Sequence, residues 1–157
     1  MFTKEEKKEL RKLFWNKFKT YSNKRKLKAG KPGKWMMDNT SIKQLKLKFH
    51  FDETHAWAGL EIDTNNLDKR IELFDKLEKL RAILCERVPH ELIWDLETEK
   101  NIDKTVSRVY AAKHDVNVYN QACWKDVFSF LYEVMDPIED VFKEFVDYLK
   151  YQWIISG

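Results

Sequence analysis

The chain has 157 residues, which is enough for one domain with its own core and too few for two of typical size, so we predict a single domain over residues 1–157. Apolar residues make up 43% and charged residues 35% of the chain, and only four residues are glycine and three are proline. This composition excludes disordered, collagen-like and linker-like proteins. The longest apolar run is only a few residues, which predicts no membrane partner and no membrane span.

The N-terminal sequence and the cysteines predict a cytoplasmic location. The first six residues, Met1 to Glu6, contain no apolar signal core. Two cysteines, Cys85 and Cys123, give no disulfide framework and fit a reducing compartment.

The net charge of +3 conceals a strong asymmetry along the chain. Residues 1–50 contain sixteen Lys or Arg and four acids, whereas residues 51–157 contain thirteen Lys or Arg and twenty-two acids. A basic block of this kind attracts polyanions through counterion release. The same block could instead rest on the acidic part of the chain, or form a solvated loop, and the sequence leaves these alternatives open.

The first predicted element is a helix from about Thr3 to Tyr21. Thr3 and Glu6 have the spacing of a capping box, and apolar residues then recur at three- and four-residue steps. Periodicity is lost over residues 22–39, which contain Gly30, Pro32 and Gly33 and most of the basic block. We therefore predict a long basic loop over residues 22–39, and loops of this length are often functional or mobile.

A hairpin is predicted next, with strands over 44–51 and 55–63. Apolar and polar residues alternate in both segments. Matching the apolar faces fixes the register, because a slip of one residue would turn every side chain over. The register pairs Phe51 with Ala56 and Leu45 with Ile62, and it places Lys46 opposite Glu61 on the outer face.

The rest of the chain is predicted to contain a helix, a second pair of strands and a further long helical segment. A helix is predicted from about Asn66 to Arg87 with Asn65 as its cap, followed by β-prone segments over 91–97 and 105–112. A long helical pattern through Leu149 is expected to break near Asp136-Pro137, where Asp136 can cap a new helix. The fold class is thus α+β: an N-terminal helix and two successive ββα units, which form an antiparallel sheet of about four strands covered by helices on one face.

The order of aromatic landmarks resembles that of the bacterial domain-of-unknown-function family 4268. The landmarks are Phe14-Trp15, Trp35, the segment from Trp57 to Ile62, Leu92-Ile-Trp94 and Trp124, and they span nearly the whole chain. The resemblance implies no settled activity. It implies a domain that occurs alone or attached to domains similar to restriction-type nucleases, a context that favours work on DNA and identifies no catalytic residue.

No catalytic motif, cofactor or metal site is predicted. No strand carboxylate is followed two residues later by the lysine that a restriction-type nuclease needs, and Glu61 and Asp63 are expected to be ordinary exposed strand residues. His50 and His55 are expected on opposite faces, and no zinc-ligand spacing occurs. We therefore favour a non-catalytic role and leave enzymatic activity open.

Trp57 is predicted on the outer face of the sheet, where it could stack on a nucleic-acid base, be covered by this chain, or contact a second subunit. The apolar segment 148–155 is expected to dock on its own domain or on a partner. Two functions follow: an accessory domain that binds nucleic acid, or a protein-interaction or homodimerisation module. The predicted nucleic-acid-binding residues are Lys24, Arg25, Lys26, Lys28, Lys31, Lys34, Trp35, Lys46, Lys48 and Trp57.

Overall fold

Residues 1–151 are described by the structure, a computed structural model, and they contain five α-helices, four strands and one 3₁₀ turn. The elements in chain order are α1 (Lys4–Lys28), β1 (Leu45–Phe51), β2 (His55–Ile62), α2 (Leu67–Lys79), α3 (Arg81–Arg87), β3 (Ile93–Asn101), β4 (Lys104–His114), the 3₁₀ turn Gln121–Cys123, α4 (Trp124–Glu144) and α5 (Val146–Lys150).

The four strands form one antiparallel sheet in the order β1-β2-β4-β3, and the helices pack against one of its faces. The predicted α+β class and four-stranded sheet are confirmed. The first hairpin has the predicted register throughout, from Leu45 opposite Ile62 to Phe51 opposite Ala56. The alternating pattern was sufficient because only one register buries every apolar side chain of both strands.

The hydrophobic core lies between the sheet and the helices. Leu47, Leu60 and Val109 on the inner face of the sheet are buried, as are Leu131 and Met135 of α4. Phe14 of α1 packs edge-on against Phe51 of β1 and Trp124 of α4. Helix α1 is thereby fixed beside the edge strand, with its opposite side in solvent.

Helix α1 begins as predicted and extends seven residues beyond its predicted end. Thr3 Oγ1 accepts a hydrogen bond from the Glu6 N–H at 3.1 Å, and Glu6 Oε1 accepts one from the Thr3 N–H at 3.0 Å. The helix then continues to Lys28, so the irregular segment covers residues 29–44 and the predicted loop start at residue 22 was wrong. Its buried stripe runs through Phe14, Phe18, Ser22 and Lys26, and the last two residues are polar, which removed the apolar signal.

Two other helix boundaries differ from the sequence prediction. The segment predicted as one helix divides at Leu80 into α2 and α3, and Asn66 rather than Asn65 caps α2 through a hydrogen bond from the Lys69 N–H. Helix α4 runs through Pro137 without the predicted break. A proline inside a helix costs about 3 kcal/mol, and here the buried stripe continues on both sides of it, so packing of α4 on the sheet outweighs the missing hydrogen bond.

Candidate functional site

The ten residues predicted to bind nucleic acid do not share one open surface. Lys24, Lys28 and Lys34 are exposed, whereas Lys26 and Trp57 are buried. Arg25, Lys31 and Trp35 lie in a cluster at the C-terminal end of α1, and Lys48 lies in a polar network on the outer face of the sheet. Lys46 is half-buried opposite Glu61.

Lys26 lies in the interior, where it forms an ion pair with Glu139 of α4. The Nζ–Oε1 distance is 2.6 Å, and both side chains are almost completely buried. Lys26 also donates to the Lys34 carbonyl at 3.3 Å and lies 3.7 Å from the centre of the Trp35 ring. Glu139 Oε2 accepts a hydrogen bond from the Met36 N–H at 2.9 Å. This pair joins α1, the 29–44 segment and α4, so the predicted ligand-binding role of Lys26 was wrong.

Lys31 is likewise directed at α4. Its Nζ lies 2.8 Å from Asp136 Oδ1 and 2.7 Å from Asp140 Oδ2. Burial opposes the charge of Lys31, but the two carboxylates outweigh that effect and raise the pKa of Lys31 above its ordinary value. Arg25 donates to the Tyr21 hydroxyl at 2.7 Å and lies over the Tyr132 ring. Much of the predicted basic block is therefore neutralised or packed by its own chain.

The second network centres on Glu61, on the outer face of the sheet. The Glu61 carboxylate is buried and forms three ion pairs. The cationic atoms are Lys48 Nζ at 3.0 Å, Lys100 Nζ at 3.0 Å and Arg108 Nε at 2.9 Å. Asp63 lies beside it, 3.2 Å from Lys100 and 2.8 Å from Lys104. The prediction that these two acids are exposed strand residues was wrong, because long cationic side chains from β1, β3 and β4 cover them.

The cations of this network lower the pKa values of both carboxyl groups. Burial raises the pKa of Glu61, but hydrogen bonds from Lys48, Lys100 and Arg108 outweigh burial, and the pKa of Glu61 lies below its ordinary value. The pKa of Asp63 is lowered in the same way by Lys104 and Lys100. Both carboxylates are ionised and form ion pairs with lysine and arginine side chains. Glu61 and Asp63 are therefore not free to bind a hard metal ion.

The two tryptophans predicted as stacking platforms are covered by this chain. Trp57 is 6% exposed, stacks on His50 with ring centres 5.7 Å apart, and has the Arg108 guanidinium 4.7 Å from its ring centre. Trp35 is half-buried between Lys26, Phe49 and Tyr132. Of the three alternatives open for Trp57, the structure supports coverage by its own chain. The segment 148–155, predicted to dock, lies outside the described residues from position 152 onward.

A basic surface that the sequence reasoning missed lies along one side of α1, from Lys8 to Lys19. Lys8, Arg11, Lys12 and Asn16 line a shallow groove of about 560 Å³ with the half-buried Trp15. Lys19 shares this side of the helix, since it follows Lys8 and Lys12 by eleven and seven residues. Lys8, Arg11, Lys12, Trp15 and Lys19 are hereafter called the α1 basic surface.

The cations of the α1 basic surface have no carboxylate partner among the described residues. Arg11 donates to the Tyr119 hydroxyl at 2.6 Å, and Lys8, Lys12 and Lys19 are exposed. Sequence periodicity could have identified this group. The densest run of lysines in the sequence lies elsewhere, over residues 24–34.

Three of the four histidines lie at one corner of the sheet. His50 Nε2 is 2.7 Å from Asp52 Oδ2, and His55 Nδ1 is 3.3 Å from Asp52 Oδ1. The His50 and His55 ring centres are 5.3 Å apart, and His114 stacks on His55 at 6.0 Å. The expectation of opposite faces was wrong, because the hairpin pairs His50 with Trp57, and residues 55 and 57 share a face.

No helix within residues 1–151 is long and apolar enough to cross a bilayer. No curated protein matches this chain. No solved structure matches it either. A family profile described as "Domain of unknown function (DUF4268)" matches residues 10–146, which include most of α1 and every helix and strand from β1 to α4. The profile covers most of the chain, and this protein therefore belongs to the DUF4268 family.

Proposed function

We propose that this protein is a non-catalytic accessory domain that binds the phosphate backbone of a nucleic acid through the α1 basic surface. The observation that carries the proposal is the set of four cations on one side of a helix with no carboxylate partner among the described residues. Lysine and arginine side chains free of internal partners can neutralise phosphates and release counterions.

The dimensions of α1 suit a polyanion. Lys8 and Lys19 are separated by eleven residues, which corresponds to about 17 Å along the helix axis. Trp15 lies between them and packs on Phe49, with ring centres 6.5 Å apart, so the tryptophan is held in place beside the cations. An aromatic ring among cations can stack on a base while the cations hold the backbone.

Fluorescence anisotropy with labelled duplex DNA, measured over a salt series, tests the proposal. The variant Lys8→Ala/Lys12→Ala/Lys19→Ala removes three charges, and the salt slope should decrease by about 2.7 if all three contact phosphates of duplex DNA. The matched control is Lys17→Ala/Lys24→Ala/Lys28→Ala, which removes the same charge from another side of the same helix. Equal affinity and slope for the first variant and the wild type would exclude the α1 basic surface, as would a larger loss in the control.

A homodimer is the second candidate, favoured by a separate feature of α1. An exposed apolar ridge includes Phe2, Leu13 and Leu27, whose exposed fractions are 45%, 38% and 65%. Leu13 and Leu27 are two heptads apart and so share one side of the helix. At the start of the ridge a groove of about 490 Å³ is lined by three acids, Glu5, Glu6 and Glu9. At its end a second groove, of about 630 Å³, is lined by three cations, Lys24, Arg25 and Lys28.

A second copy of α1 in antiparallel orientation matches this arrangement. It would place the acidic start of each ridge against the basic end of the other, with the leucines between them, as a two-fold axis requires. The variant Leu13→Glu/Leu27→Glu should convert a dimer to a monomer in size-exclusion chromatography with light scattering. The control is Ile102→Glu at the β3–β4 turn, where the side chain is fully exposed and distant in sequence from α1. A monomeric wild-type protein would contradict this candidate and leave the nucleic-acid proposal standing.

A further inference from the structure

The corner formed by His50, Asp52 and His55 has the composition of a transition-metal site. The two imidazoles and one carboxylate each offer a ligand atom, and these atoms all lie within 4.8 Å of one another. No other such group of three occurs among the described residues. We propose that this corner, hereafter the histidine corner, binds one divalent ion of the Zn²⁺ class, for which imidazole and carboxylate ligands are suited.

The backbone brings the ligands together without help from distant elements. His50 ends the outer face of β1, and the turn closes when the Asp52 N–H donates to the His55 carbonyl at 3.0 Å. His50 near the end of β1, Asp52 in the turn and His55 at the start of β2 are thereby brought together at one corner. Ligands contributed by a tight hairpin need little loop ordering when the ion binds.

The distances fit a small metal ion after modest adjustment. Ligand atoms at 2.0–2.2 Å from a tetrahedral ion lie roughly 3.3–3.6 Å apart. In the structure the separations from the Asp52 carboxylate are 2.7 Å to His50 Nε2 and 3.3 Å to His55 Nδ1. Shifts of about 1 Å therefore convert the hydrogen-bonded corner into a coordination site, with the ion replacing the proton between the ligands.

Neighbouring groups orient the candidate ligands through hydrogen bonds and ring stacking, as the partners of ligand side chains do in known metal sites. Asp52 Oδ1 accepts from the Thr54 N–H at 2.9 Å and from the His55 N–H at 3.0 Å, which fixes the carboxylate plane. The His50 ring stacks on the buried Trp57 at an interplanar angle of 17°. His114 stacks on His55, and we assign it as a positioning residue.

The histidine corner is open enough for an ion to enter. The side chains of His50, Asp52 and His55 are each between one third and two fifths exposed. Three protein ligands leave at least one coordination position for water, as in metal sites that are not purely structural. This site is independent of the α1 basic surface, and its test does not depend on the proposed function.

Titration of tag-free, full-length protein with Co²⁺, followed by visible absorption, tests the proposal. We expect one equivalent bound per chain, with the ligand-field bands of four- or five-coordinate Co²⁺ and loss of those bands when Zn²⁺ is added. The double variant His50→Ala/His55→Ala should lose stoichiometric binding, and each single variant should weaken it by about tenfold or more.

The matched control is His90→Ala, which removes the remaining histidine. His90 lies outside the corner and contacts Glu133 of α4 at 3.1 Å. Circular dichroism checks that each variant is folded, and the more conservative His55→Gln replaces any variant that is not. The proposal is overturned if the wild type binds no ion at one equivalent, if the double variant retains wild-type affinity, or if His90→Ala weakens binding as much as the corner variants do.

Discussion

The two halves of α1 carry nearly the same number of cations, but those cations have different partners. Residues 4–16 contain five Lys or Arg and residues 17–28 contain six. In the second half and the segment after it, Lys26 and Lys31 meet Asp136, Glu139 and Asp140 of α4. In the first half, Lys8, Arg11 and Lys12 are exposed and have no carboxylate partner among the described residues. Charge density along a sequence therefore does not locate a binding surface, because the densest basic run here serves to attach one helix to another.

The largest expected effect is at Lys26. Lys26→Ala leaves the buried Glu139 carboxylate without its closest cation, and loss of one partner of a buried pair costs about 3–5 kcal/mol of unfolding free energy. Urea denaturation measures this effect. Lys8→Ala is the control from the other half of the helix and should change the unfolding free energy by about 0.5 kcal/mol or less.

The double variant Lys26→Met/Glu139→Met sharpens this comparison. Removal of both charges leaves no unpaired charge buried at this contact, so the double variant should be more stable than Lys26→Ala. A Lys26→Ala protein as stable as the wild type would contradict the assignment of Lys26 to the interior and would return it to the candidate binding residues.

Glu61→Gln is expected to have the next largest effect, about 3 kcal/mol. The substitution removes the buried charge that Lys48, Lys100 and Arg108 share, and it leaves three cations close together on the sheet face. Thermal and urea denaturation measure the loss. The control is Glu99→Gln on β3, whose side chain is not part of this network and whose substitution should be nearly neutral. Equal stabilities for the two variants would show that the network contributes no stability.

Acidification should produce a smaller loss through the same carboxylates. The pKa values of Glu61 and Asp63 are lowered in the folded protein from 4.5 and 3.8, so their contribution is fully present above those values. It is lost as the pH falls through the folded-state pKa values, because protonation then removes the charge that the lysines and Arg108 pair with. Urea denaturation over a series of pH values should show this fall in the wild type and a shallower one in Glu61→Gln.

The smallest of these effects is expected at Lys31. Its two ion pairs are partly exposed and screened by solvent, so Lys31→Ala should cost only about 1 kcal/mol, measured by urea denaturation. High salt should reduce the difference from the wild type further. A loss as large as that of Lys26→Ala would mean that the 29–44 segment depends on Lys31 for its attachment to α4.

The strand register and the start of α1 could be predicted because their signals are local. Alternation of apolar residues in β1 and β2 permits one pairing only, and a capping box requires just Thr3 and Glu6. The end of α1 could not be predicted in this way. Ser22 and Lys26 continue its buried face, and Lys26 is paired there with Glu139, which is 113 residues away.

The two candidate sites also differ in whether their signal is local in the sequence. The α1 basic surface follows from helical spacing alone and was accessible to sequence reasoning. The histidine corner depends on which residues a two-stranded turn places on one face. The predicted register already implied it, because a pairing of Phe51 with Ala56 also pairs His50 with Trp57, and the expectation of opposite faces did not use that register.

By itself, the sequence determined the α+β class, the sheet of four strands, the first hairpin and the family, because those features depend on periodic burial within short segments and on the order of landmarks. Only the tertiary structure decided which charges are neutralised and which face solvent. An ion pair requires two side chains to meet in space, and the partners of Lys26, Lys31 and Lys100 are separated from them by 37 to 113 residues.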